Sequence, residues 1–360
     1  MLRQDNKHWL SSLSVPLISI ICGFILGAIV MLIFGYNPIK AYDAMIMSVF
    51  KNPYFFGEAL RQATVLTFTG LSFNIAYQAG FFNIGVAGQL LMGWMTSIWL
   101  GLLLPELPRV VMLPILLLVG ALFGALWSAI AGVLKAYFGT NEVIVTIMLN
   151  YTALHATNHL IRNVIATGNI SDRVGPNASL AVGWLTSLTN GSRLNIGLFI
   201  AIAVVALYWF VMKHTTVGFE LRAVGLNKDA AEYAGMSAKK NIILSMFISG
   251  ALAGLGGAIH GLGTFGNIFT QGHLPPEGFD GIAVGLLGLG TPVGTFLSAI
   301  LFGILNIGSA FMPNMAGVPD ELAQVVTASI IFFIGANYII RYFINKRVGK
   351  GDKKQGGDTV

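Results

Sequence analysis

Long apolar runs recur along almost the whole chain, and their length leaves few folds open. A helix needs about 17 to 25 mainly apolar residues to cross a bilayer. Runs of that order lie at 15–34, 84–104, 110–134, 143–161, 194–212, 242–262, 293–312 and 322–343. Two more, at 60–75 and 278–289, are shorter or interrupted. Of the 360 residues 55% are hydrophobic and 10% charged, against roughly 25% charged in a soluble domain, so no polar stretch could fold separately. The expectation is an all-α polytopic membrane protein of about ten transmembrane helices, eight clear and two short or broken. Residues 1–344 would form one transmembrane domain and 345–360 a basic, disordered cytoplasmic tail.

Charge placement gives the expected orientation. Lys and Arg gather in the N-tail (Arg3, Lys7), at Lys135, in segment 213–241 (Lys213, Arg222, Lys228, Lys239, Lys240), and in the C-tail (Arg341, Lys346, Arg347, Lys350, Lys353, Lys354). If all four places are cytoplasmic, the positive-inside rule holds. An even number of crossings on either side of 213–241 satisfies it, with both termini inside the cell. Ten crossings meet this condition, and so does a pair of re-entrant loops. Basic loops beside anionic lipid also account for the net charge of +6 without a nucleic-acid partner.

The N-terminal run is longer than a signal-peptide core and has no Ala-x-Ala cleavage site, so it reads as a retained helix. Cys22, the single cysteine, follows Ile20-Ile21 and reads as a buried free thiol that excludes an intramolecular disulfide.

The 44 glycines cluster at 80–93, 250–266 and 278–294. Spacings of three and four let helices approach closely, which accounts for most of them. In the first and third clusters, however, glycine mixes with Asn74, Gln78, Asn83, Gln89, Glu277, Asp280 and Pro292. Broken helices of this composition at corresponding places in two halves of a chain point to a solute path. The spacing hints at an internal two-fold repeat, without residue-by-residue periodicity.

On 143–161, Asn150, Leu154 and Asn158 share one helical face and His155 and His159 an adjacent one. That polar stripe would look into the bundle, either binding a solute or bonding to neighbouring helices. His155-x-x-x-His159 has the spacing of two metal ligands, but Ala156 stands where a zinc protease has glutamate, so no metal is expected. There is no Gly-x-Ser-x-Gly elbow, no Gly-x-Gly-Asp within an apolar run of the kind intramembrane aspartyl proteases use, no Cys-x-x-Cys, and no Gly-x-x-x-x-Gly-Lys-Ser/Thr loop for ATP. The chain is therefore not expected to be an enzyme.

Segment 213–241 is a polar island. Within it 225–235 reads as one compact helix outside the membrane, with Asn227 as N-cap, Asp229 at the positive end of the helix dipole and Gly235 as a left-handed stop. So short a helix needs external support, which points to a soluble partner.

These motifs together carry a resemblance. Phe82-Asn-Ile-Gly-Val-Ala-Gly-Gln-Leu90, Gly139-Thr-Asn-Glu-Val-Ile-Val-Thr-Ile-Met-Leu-Asn-Tyr151, Gly225-Leu-Asn-Lys-Asp-Ala-Ala-Glu-Tyr-Ala-Gly235 and Gly278-Phe-Asp-Gly-Ile-Ala-Val-Gly-Leu-Leu-Gly288 resemble permease subunits of bacterial ATP-driven (ABC) importers. The branch is the ribose and branched-chain amino acid type, most like nucleoside permeases served by a basic-membrane-protein-type lipoprotein. The resemblance implies a cell-membrane subunit without its own ATPase, moving a nucleoside by alternating access. Its implied partners are a cytosolic ATP-binding subunit, a second permease that is a paralogue, and an extracellular substrate-binding lipoprotein. No cofactor is implied beyond ATP on the partner.

The coupling helix implied is Asn227, Lys228, Asp229, Ala230, Ala231, Glu232, Tyr233, Ala234 and Gly235. The substrate-path candidates are Asn83, Gln89, Glu142, Asn150, Tyr151 and Asp280, with Phe81, Phe82 and Phe279 suited to stacking on a base. Loops 163–193 and 264–277 would receive the binding protein. A permease for a simple sugar such as ribose is the alternative, ahead of an ion-coupled transporter, for which Glu142 and Asp280 are the acids nearest to membrane depth, and of an intramembrane enzyme using His155, His159 or His260.

Overall fold

A computed structural model describes residues 2–335, with side chains from residue 18 to 329 and at 332 and 333. The described residues are helical and contain no strand. In chain order the helices are α1 (Leu2–Ile33), α2 (Pro38–Lys51), α3 (Pro53–Gln78), α4 (Val86–Leu103), α5 (Arg109–Phe138), α6 (Glu142–Leu160), α7 (Gly183–Leu188), α8 (Gly197–His214), α9 (Thr216–Leu226), α10 (Lys228–Tyr233), α11 (Ala238–His260), α12 (Pro276–Leu287), α13 (Pro292–Ser309), α14 (Met312–Ala316) and α15 (Asp320–Gly335). Helices α6 and α11 each run on into a π-helical turn, Ile161–Ile165 and Gly261–Phe265.

Local chemistry sets the helix ends. Asn52 accepts from the Tyr54 N–H at 3.0 Å with Pro53 in the first position of α3, and Asn141 caps α6 through Val143 N–H at 2.9 Å. Gly139, at φ 66°, ends α5 in the left-handed conformation glycine tolerates.

Five helices among the described residues are long and apolar enough to cross a membrane: α4, α5, α8, α11 with its π turn, and α13. The protein is a polytopic membrane protein. The two doubtful runs differ from each other. The first lies in α3, a continuous helix of 26 residues. The second is α12, whose 12 residues rise about 18 Å, well short of a hydrocarbon core of about 30 Å. The run at 322–343 passes beyond the described residues, as does the tail at 345–360.

The chain divides into two compact units, Met1–Ser48 with Leu305–Val360, and Val49–Ile304. In the first, Gly27 of α1 lies against Tyr42 and Val326, and the Tyr42 hydroxyl donates to the Phe24 carbonyl at 2.6 Å. The second is organised around α4, α5 and α11. A Cβ added at Gly93 would meet the Gly254 backbone, one at Gly254 the Gly120 carbonyl, and one at Gly124 would fall on the Gly250 carbonyl. Backbone touches backbone along this seam because no side chain intervenes. On α5, Leu118, Leu122, Phe123 and Leu126 stay exposed, the outward apolar face expected toward lipid.

Candidate functional site

Between α3 and α4 the chain breaks helix for seven residues, 79–85, and three of the candidate residues converge around this break. Helix α4 begins after Gly85, which has no side chain to cap it. Its first N–H groups are orphan donors that burial would leave unpaired. Asn83 Oδ1 accepts from Gly85 N–H at 2.8 Å, and Asn150 reaches across from α6 to accept from Gly88 N–H at 2.7 Å. Asn150 Nδ2 in turn donates to the Ile84 carbonyl at 2.8 Å. A neighbouring helix thus does the capping.

The network continues inward. Asn83 Nδ2 donates to Ser249 Oγ at 2.8 Å and to Gln89 Oε1 at 3.1 Å. Gln89 Nε2 donates to Ser128 Oγ at 3.1 Å, and Ser249 Oγ donates to the Ser72 carbonyl at 2.7 Å. Asn83, Gln89 and Asn150 are at most 1% exposed. Three of the six path candidates therefore meet in one buried cluster joining α3, α4, α5, α6 and α11, and in this conformation their polar atoms are bonded to protein. Ser72 and Ser128 of this cluster were not singled out from the sequence, since a lone serine in an apolar run carries no distinguishing pattern.

The other three candidates lie elsewhere. Glu142, at the start of α6, pairs with Lys135 near the end of α5 at 2.8 Å, so each charge complements its helix terminus. Tyr151 sits on the exposed face of α6, beside a cavity of about 650 Å³ that His155 and Thr152 also line. Asp280 is half-buried on α12. On α6 Asn150 and Leu154 are buried, but His155 and His159 face outward rather than into the bundle, so only one face of the expected polar stripe looks inward. No metal-binding group of three or more His, Cys, Asp or Glu occurs among the described residues.

At one end of unit 49–304, the two loops expected to receive a binding protein pair with each other. Ser171 N–H donates to the Ile268 carbonyl and Thr270 N–H to that of Asn169, both at 2.8 Å. Asn158 exchanges hydrogen bonds with the Gln271 backbone at 2.8 and 2.9 Å. Beside them Glu58 accepts from Arg61 at 2.7 Å and from Arg193 N–H at 2.7 Å.

The polar island contains two helices rather than one. The sequence reading placed 225–235 in one helix, but Gly225 and Leu226 end α9, which Thr215 caps through Gly218 N–H at 3.3 Å. Asn227 then breaks the chain at φ −157° and caps α10 by accepting from Ala230 N–H at 3.0 Å. The 11 residues of α9 were missed because its apolar positions are interrupted by two glycines and by Glu220 and Arg222, which blurs the helical period. Gly235 supplies the left-handed stop at φ 84°. Ala231 is buried against Val224 and Ala238, while Lys228, Asp229, Ala230, Glu232, Tyr233 and Ala234 are exposed. Tyr233 is 95% exposed and Leu226 88%.

Residues 55–335 match the family described as branched-chain amino acid transport system / permease component. The chain belongs to that family. The permease is 45% identical over 353 residues to the nucleoside ABC transporter permease protein NupB of Lactococcus lactis subsp. cremoris, covering 95% of this chain and 97% of that one; that organism also has a second nucleoside permease, NupC, 26% identical over 300 residues, 79% of this chain and 90% of that one. It is 46% identical over 347 residues to the guanosine ABC transporter permease protein NupP of Bacillus subtilis, covering 95% and 98%. It is 29% identical over 366 residues to the glucose ABC transporter permease protein TsgB13 of Haloferax volcanii, covering 99% and 95%. No solved structure matches the permease.

Proposed function

We propose that this permease is the membrane-spanning subunit of an ATP-driven importer of nucleosides. The observation that carries the reading is identity of 45% and 46% to NupB and NupP over nearly the full length of each. ATP would be bound by a separate cytosolic subunit, and this chain would catalyse no covalent step and hold no cofactor. The N-terminus and segment 213–241 would face the cytoplasm, in a topology of about ten passages in which α12 and the loop before it together make one discontinuous crossing. A second permease, a paralogue as NupC is to NupB, would complete the membrane part, and a lipoprotein would deliver substrate to the paired loops 163–193 and 264–277.

The coupling element is α10 with its flanks, Asn227 to Gly235. Its exposed Lys228, Asp229, Glu232 and Tyr233 would seat in the ATPase subunit, whose cycle would move α9 and α10 as a body and open the two ends of the path alternately. Tyr151 and the outward face of α6 would line that path, with Asn83, Gln89, Glu142, Asn150 and Asp280 supplying or orienting its polar groups. Uptake of labelled guanosine by cells carrying the whole importer tests the reading. Uptake should be saturable and vanish when the ATPase subunit is deleted; uptake that survives that deletion would sink it. The similarity to a glucose permease keeps a sugar as the second reading, and competition by excess glucose against labelled guanosine separates the two.

A further inference from the structure

Beside α9 lies a cavity of about 630 Å³ that, of the six path candidates, only Glu142 borders, together with the stacking candidates Phe81 and Phe82. Its walls include Tyr77, Gln78 and Phe82 at the α3–α4 break, Glu142 on α6, Arg222 on α9 and Gly290 ahead of α13. That volume falls within the roughly 300 to 1,000 Å³ typical of small-molecule sites. The two aromatic walls are held from behind by one ring. Phe73 stacks on Tyr77 at 5.5 Å and meets Phe82 edge-on at 5.2 Å. Tyr77 and Phe82 nevertheless remain 50% and 37% exposed, so part of each ring is left for a ligand.

The polar groups narrow the ligand class. Glu142 offers acceptors and its charge is balanced by Lys135, while Arg222 is exposed and offers planar donors. Acceptors and planar donors beside two aromatic walls suit a planar heterocycle with both donors and acceptors at its edge.

The floor of the cavity is a tight joint. Gly80, at φ 84°, abuts Gly225, and a Cβ on Gly225 would fall on the Gln78 carbonyl. Through it the helix preceding α10 rests directly on the break that leads to Asn83. A ligand touching Tyr77 and Arg222 spans this joint, so its binding favours the spacing seen here over any other.

Resting on the nucleoside reading above, we propose that this cavity is a second site for the imported nucleoside, on the face bearing α10, through which accumulated solute slows further import. Occupancy would hold α9 on the α3–α4 break and oppose the movement that transport requires.

The test uses the complete importer, with its ATPase, second permease and lipoprotein, in proteoliposomes with ATP enclosed. The initial rate of labelled guanosine uptake is measured with and without unlabelled guanosine enclosed. Enclosed guanosine should lower the rate several-fold in the natural protein. Tyr77→Ala and Arg222→Ala should keep the rate without enclosed solute within about twofold and raise the inhibitory concentration by about tenfold, within the range of ordinary coupling energies. Unchanged uptake with enclosed guanosine, or equal inhibition in natural protein and both variants, would overturn the site. Absence of guanosine uptake by the natural importer under all conditions would instead overturn the nucleoside reading, and the site with it. Should the variants fail to assemble, photolabelling of the natural importer with 8-azidoguanosine decides: label on residues 77–82, displaced by guanosine, supports the site, and label confined to other segments refutes it.

Discussion

Glu58 accepts two hydrogen bonds from Arg193, one from its backbone N–H at 2.7 Å and one from its guanidinium at 3.1 Å. The same carboxylate holds Arg61, which is buried with it. A loop after α7 is thereby fastened to the start of α3 by a single acid. Removing that acid leaves the Arg61 charge buried without its counter-ion, a loss of about 3 to 5 kcal/mol in comparable buried pairs. Glu58→Ala should therefore lower the thermal midpoint of detergent-solubilised permease sharply, and Arg193→Ala much less, because that side chain is half exposed. Equal losses in the two variants would contradict this reading.

Acid should have a related effect. Burial alone would push the Glu58 carboxyl up, but the Arg61 charge and the hydrogen bonds from Arg61 and Arg193 outweigh it and hold the group below its ordinary value. A depressed folded value stabilises the protein above the unfolded carboxylate pKa of about 4.3, and that contribution fades as pH falls through the folded value. Thermal stability followed from pH 7 to below the unfolded carboxylate value of about 4.3 and on through the lower folded value should drop more in the natural protein than in Glu58→Gln, which has already lost the charge.

Asn150→Ala should unfold or loosen the break between α3 and α4. It strands the Gly88 N–H and the Ile84 carbonyl, each bonded only as long as the amide is there to reach them, and buried groups so orphaned cost about 1 to 3 kcal/mol each. Asn150→Asp keeps the acceptor but loses the donor and should fall between. Transport and thermal midpoint measured together tell the two roles apart: a variant with a normal midpoint and lost uptake would assign Asn150 to the solute rather than to the scaffold.

Reversing one charge on α10 should act on assembly alone. With Glu232→Lys or Tyr233→Ala, insertion and thermal midpoint should stay as they are, because both side chains are exposed, while recovery of the ATPase subunit with the permease and guanosine uptake fall together. Asn227→Ala loses the cap as well, at about 1 kcal/mol, and should give the same transport defect through disorder of the helix. Normal uptake in all three would argue against α10 as the coupling element.

Along the seam, Gly124→Val should be far worse than Leu118→Val. The first drives a branched side chain into the Gly250 carbonyl, and overpacking of this kind costs about 1 to 3 kcal/mol or more; the second trims a side chain that faces outward. Yield of folded protein after detergent extraction reports the difference.

Apolar length made the all-helical membrane architecture legible, and Asn227, Asp229 and Gly235 made α10 legible almost residue by residue, because caps and stops are local. What was not legible depends on distance along the chain. Nothing near Asn150 announces that it caps α4 across 62 positions, or that Ser249 belongs with Ser72. Likewise the polarity of Asn83 and Gln89 is compatible with either a solute or a protein partner, and only the fold shows how they are bonded. The short α12 and the separate α9 were obscured for a different reason: glycine content blurs helix boundaries, and an 11-residue helix with mixed polarity has no strong period.

Leu226 and Tyr233, bare at either end of α10, have a consequence for the life of the subunit before it works. Burying two such side chains stabilises an assembly by about 1.5 to 3 kcal/mol each, and until that happens they are sticky surface on the only part of the described chain that stands as a polar island. A permease made in excess of its ATPase would carry an open signal for chaperones and proteases, and its abundance in the cell would then be set by the supply of its partner.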